Sequence, residues 1–84
     1  MRPIERLGAR SSGTIVTLLL GQGHGVIRLT SARKVFFHRS DLCEGMSFHD
    51  LAVGQRVTFE LLEDAISGPR ALRVERVGWA RPAG

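Results

Sequence analysis

The side chains best suited to chemistry in this sequence are rings and guanidinium groups. Between Thr14 and Ser40 the ionisable residues are His24, Arg28, Arg33, Lys34, His38 and Arg39, and no carboxylate interrupts them. Phe36 and Phe37 lie in the same stretch. Flat rings give unstacked bases a surface to stack on, and cations neutralise phosphates. Lys34 is the sole lysine among twelve basic residues; the rest are arginines, whose planar forks of donors suit phosphates and base edges. The formal net charge of +4 favours a polyanionic partner, nucleic acid before an anionic membrane surface. A solvated basic rim with no ligand is the competing reading of the same charge.

Other chemistries find little support. No paired carboxylates, nucleophile beside a base or phosphate-cradling loop stands out, so an enzyme is not expected. His24, His38 and His49 lack the spacing of a ligand pair on one element, and neither a metal nor another cofactor is expected. Protonated imidazoles would add positive charge below about pH 6.5. Cys43, between Leu42 and Glu44, is the only cysteine. It reads as an apolar filler, excludes an intramolecular disulfide and fits a reducing, cytoplasmic setting. The apolar run Ile15–Leu20 is broken by Thr17 and falls far short of the roughly 20 residues that span a bilayer, so no signal peptide or membrane segment is expected.

The elements that must position these groups are short strands. Residues 1–12 read as a basic tail with Arg2, Arg6 and Arg10, residues 13–77 as one domain, and residues 78–84, with Trp79, as a second tail. Helical periodicity is weak in the domain, and glycines cut it into β-branched and aromatic runs. Strands are expected at Gly13–Leu20, His24–Thr30, Lys34–Arg39, Arg56–Leu62 and Arg70–Val77, with a helical turn at Ser40-Asp41-Leu42. Alternation turns Val35 and Phe37 inward, and His24, Val26, Arg28, Phe36 and His38 outward. Val57, Phe59 and Leu61 share one face of the fourth strand; Leu72 and Val74 point inward on the last. Five short strands in so small a chain predict an all-β fold, a barrel that leaves no exposed sheet edge.

The motifs in these strands resemble the cold-shock domain family. Gly13-Thr14-Ile15 opens as that family's first strand does. Gly23-His24-Gly25-Val26-Ile27 is similar to its first ribonucleoprotein motif, and Val35-Phe36-Phe37-His38 to its second. Phe48-His49-Asp50-Leu51-Ala52-Val53-Gly54-Gln55-Arg56-Val57-Thr58-Phe59-Glu60 and Ser67-Gly68-Pro69-Arg70-Ala71-Leu72-Arg73-Val74 resemble its C-terminal half. The resemblance covers about 65 of the 84 residues. It implies a five-stranded antiparallel barrel of the OB type that binds single-stranded RNA or DNA across its first three strands. It brings no catalytic residue, metal or cofactor.

Carried over position by position, the resemblance implies that Phe36, His38, His24 and Phe48 hold rings of the binding face. Phe48 reads equally as a loop anchor packed on the barrel. Thr17 and Val26 stand where the family has aromatics and cannot stack; Arg39 replaces another ring and can stack through its guanidinium plane. Family lysines on the first strand and first loop fall at Val16 and Gln22. Arg28, Arg33, Lys34 and Arg39 supply charge around strands two and three, and Arg70 takes the place of the family's glutamine after Gly-Pro. The expected interface is therefore His24, Val26, Arg28, Lys34, Phe36, His38, Arg39, Phe48 and Arg70. The expected function is passive single-strand binding, as an RNA chaperone or a regulator of transcription or translation. The alternative is a degenerate barrel serving as a protein-interaction or homodimerising module. Leu18-Leu19-Leu20 motivates it, because so small a core cannot bury all three leucines.

Overall fold

Five strands close on themselves in the order β1-β2-β3-β5-β4. The computed structural model describes residues 10–64, 66 and 68–78. Residues 1–9, Ala65, Ser67 and the C-terminal segment from Trp79 lie outside the described residues. The strands are β1 (Arg10–Leu19), β2 (His24–Leu29), β3 (Lys34–His38), β4 (Arg56–Asp64) and β5 (Gly68–Arg76). Antiparallel ladders join β1 to β2, β1 to β4, β2 to β3 and β4 to β5, while β3 meets β5 in parallel where Phe36 pairs with Arg70.

β1 starts at Arg10, ahead of the expected Gly13, because Arg10–Thr14 pair in register with Arg56–Glu60. The Arg10 guanidinium reaches across β4, donating to Thr58 Oγ1 at 2.9 Å and to Glu75 at 3.4 Å. β5 starts at Gly68 because it pairs back onto Asp64.

The barrel is filled by Ile15, Ile27, Val35, Phe37, Val57, Phe59, Ala71 and Val74, each at most 2% exposed. Met46, Phe48 and Leu51, from the segment between β3 and β4, complete this core. The ring of Phe37 lies over Gly25, where any Cβ would overlap it. A glycine in the second strand therefore makes room for the largest inward side chain of the third.

Two bulges change the strand parity that simple alternation predicts. On β1, Ile15 pairs with Ile27 but Thr17 pairs with Val26, so Val16 is the extra residue. Beyond it Leu18 turns inward against the core, while Leu19 and Leu20 remain 47% and 55% exposed. On β5 the pairing passes from Thr58–Glu75 to Glu60–Leu72, leaving an extra residue there, and Arg73 takes φ 51°. The extra residue puts Ala71 and Val74 in the core, three positions apart. This corrects the expectation for Leu72, which is half-buried and not part of the core.

The segment after β3 contains two 3₁₀ turns. The first spans Arg39–Asp41, a residue earlier than expected; the second spans Phe48–Asp50. Each begins with a reciprocal cap. Ser47 Oγ accepts from the His49 amide at 3.2 Å, and Asp50 accepts from the Ser47 amide at 3.0 Å.

Candidate nucleic-acid interface

Residues paired across adjacent strands face the same side of a sheet, so register sorts the outward side chains of β1, β2 and β3 into rows. One row is Leu19, His24 and His38. The next is Thr17, Val26 and Phe36, extended to Arg70 by the parallel pair. The third is Thr14, Arg28 and Lys34. Neighbouring rows on β2 and β3 are two residues apart, about 7 Å. Rings and apolar groups thus fill the first two rows on β1, β2 and β3, with Arg70 at their β5 edge, and the third row carries Arg28 and Lys34.

Phe36 is the centre of the apolar part. It is 56% exposed, against 2% for its neighbour Phe37. An open depression of about 390 Å³ is lined by Phe36 with His24, Phe37, His38, Asp41 and Arg70. His24 and His38 pair across the strands with ring centroids 5.0 Å apart and planes at 71°, an edge-to-face contact.

The turn after β3 fixes His38 on both its backbone and its ring. The His38 amide donates to Asp41 Oδ2 at 2.9 Å, and His38 Nδ1 accepts from the Ser40 amide at 3.2 Å. With Nδ1 accepting, the neutral ring carries its proton on Nε2. Asp41 also receives Arg70, whose Nη2 lies 3.2 and 3.0 Å from the two carboxylate oxygens. One carboxylate therefore ties together the end of β3, the turn and β5. It offsets the charge of Arg70 and leaves Nε and Nη1 without a protein partner among the described residues.

The cations divide by whether a carboxylate holds them. Arg10 pairs with Glu75, Arg33 with Glu63, Arg70 with Asp41 and Arg73 with Glu60. Hydrogen bonds donated by Arg33 hold the Glu63 carboxyl below its ordinary range. Arg28, Lys34, Arg39, Arg56 and Arg76 have no carboxylate partner among the described residues, and of these Arg76 lies on β5 with its Nε buried. Arg39 is anchored without losing its charge: its amide donates to the Gly23 carbonyl at 2.8 Å, and its stem lies against Gly23.

Of the residues singled out in the sequence, His24, Val26, Arg28, Lys34, Phe36, His38 and Arg70 stand together on the outer surface. Arg39 borders them beyond His38. Phe48 does not share that surface. It is 7% exposed, its ring centroid is 6.0 Å from that of Phe37, and the packing makes it the loop anchor. Arg33 is committed to Glu63 at the turn after β2.

Four contributors went unassigned in the sequence. Asp41 was readable as the acid closing a cap three residues after His38. Thr14 and Arg56 follow from alternation on β1 and β4 once those strands are known to be neighbours. Leu19 had no local signal, because the bulge at Val16 decides which leucine faces out.

A closed five-stranded barrel with a ring-bearing, cationic outer sheet defines an OB-type domain suited to nucleic acid. The family model of the 'Cold-shock' DNA-binding domain matches residues 11–77, and the chain belongs to that family. Nucleic acid is accordingly the ligand class of this barrel. Comparison with curated proteins finds no match.

Proposed function

We propose that the barrel binds single-stranded RNA or DNA passively, holding strands open or melting weak RNA structure, in the service of RNA chaperoning or transcriptional or translational regulation. The observation that carries this reading is Phe36. A large apolar ring left 56% exposed on a strand, beside two histidine rings and at the edge of unpaired cations, is a stacking surface joined to a phosphate-attracting one. Phe36, His38 and His24 receive bases, and Val26 and Leu19 supply apolar contact without stacking. Arg28, Lys34 and Arg39 neutralise the backbone. Arg70, held by Asp41, acts chiefly as an oriented hydrogen-bond donor beside Phe36.

Titration of a labelled oligopyrimidine tests this reading. It predicts saturable binding that weakens steeply with salt and varies little with sequence; no binding at millimolar protein and low salt would overturn it. The exposure of Leu19 and Leu20 favours a second reading, a protein-binding or self-associating surface. A light-scattering concentration series showing only monomer would remove its homodimeric form.

A further inference from the structure

The cationic row continues past the three-stranded surface. Thr14 pairs with Arg28 on one side and with Arg56 on the other, because β1 lies between β2 and β4. Arg28 in turn pairs with Lys34. Lys34, Arg28, Thr14 and Arg56 therefore form one row across four strands, all facing outward. Gly13, Ile15, Val35, Ile27 and Val57 beside them are buried. Arg28 and Arg56 flank a single residue, with backbones about 10 Å apart. An open cleft of about 420 Å³ lies there, lined by Thr14, Arg28, Leu29, Thr30, Ala32 and Arg56. Its lining offers two guanidinium groups and two hydroxyls, and no carboxylate.

This arrangement works against the stability of the fold. Like charges directly opposite each other on paired strands repel, as Arg28 and Lys34 do. Arg10, Arg33, Arg70 and Arg73 are each matched to an acid, whereas neither arginine of this row has a carboxylate partner among the described residues. A bound anion removes the repulsion and completes the hydrogen bonding of both guanidinium groups.

We infer that the cleft between Arg28 and Arg56, lined also by Thr14 and Thr30, is a phosphate-binding site. Resting on the single-strand reading above, it holds backbone phosphates of a strand that leaves the Phe36 platform and crosses β1 towards β4. The bound stretch is thereby longer than the ring-bearing surface alone.

Two arms of one experiment separate the site from the reading it rests on. In the first, inorganic pyrophosphate is titrated into the labelled full chain and followed by amide chemical shifts. Saturable movement of Thr14, Arg28, Thr30 and Arg56, with Phe36 and His38 still, is expected. No movement, or movement spread over the whole surface, overturns the site. In the second, an oligothymidylate long enough to pass the platform is titrated over a range of salt. Arg56→Gln lowers the slope of log affinity against log salt by about 0.7, the share of one phosphate contact on a single strand. Arg73→Gln, which removes an equal charge already paired with Glu60, leaves the slope unchanged. Equal slopes for wild type and Arg56→Gln overturn the role in strand binding. Should pyrophosphate bind while the wild type takes up no strand, the single-strand reading falls and a site for free phosphates stands.

Discussion

Two phenylalanines that look alike in the sequence do opposite work. Phe36 contributes little to folding because so much of it faces water, so Phe36→Ala should leave the melting temperature nearly unchanged. It should weaken strand binding by about 1–3 kcal/mol, the worth of one stacked base. Phe48→Ala should reverse that pattern, costing about 3–5 kcal/mol of stability through the cavity left beside Phe37. Paired thermal melts and oligonucleotide titrations check both. Strand parity alone was enough to assign Phe36 outward and Phe37 inward, since β3 is short and regular. Phe48 lies in an irregular segment where no period applies, and its side of the barrel is decided by contact with Phe37. Asp41 is the third residue of consequence. Its carboxylate receives the His38 amide and Arg70 together, so Asp41→Ala should cost about 1–3 kcal/mol in chemical denaturation. It should also weaken binding by loosening His38 and Arg70 at once.

At the scale of elements, the barrel depends on close approach between β2 and β3. Gly25→Ala sets a methyl group into the Phe37 ring, and should destabilise by about 1–3 kcal/mol in urea denaturation, as overpacking does. The regular strands β2 and β3 were legible from alternation, and with them the outward set from His24 to His38. β1 and β5 were legible only as strands. The extra residues at Val16 and around Arg73 fit no local motif and are set by how the barrel closes, so alternation leaves Leu18, Leu19 and Ala71 unassigned and turns Leu72 inward, where the structure does not. Ion pairs between strands add a pH-dependent part. Because Arg33 lowers the Glu63 pKa in the folded state, the pair stabilises the fold above the ordinary range for a glutamate. That contribution is lost as pH falls through the lowered value. Denaturation midpoints compared across acidic pH should show a shallower pH dependence for Glu63→Gln than for wild type. Parallel curves would mean that the pair, which is exposed, contributes nothing measurable.

For the whole molecule, the distribution of charge says more than its total. A net charge of +4 pointed to a polyanion without saying where it binds. Among the described residues the fold pairs Arg10, Arg33, Arg70 and Arg73 with acids and leaves Arg28, Lys34, Arg39 and Arg56 unpaired around or beside the ring-bearing sheet, with Arg76 on β5 the one other cation lacking an acid. Three or four phosphate contacts of this kind predict a slope of log affinity against log salt of roughly −2 to −3. A slope near zero would separate binding from these cations. The claim that ties residue, element and barrel together is that a single strand lies on the surface centred on Phe36. Amide chemical-shift mapping with a short oligothymidylate at low salt tests it most directly. The account predicts saturable shifts at His24, Val26, Arg28, Phe36, His38 and Arg70, with Phe59 and Arg73 on the β4–β5 side unmoved. Shifts confined to β4 and β5, or none at millimolar strand, would contradict it.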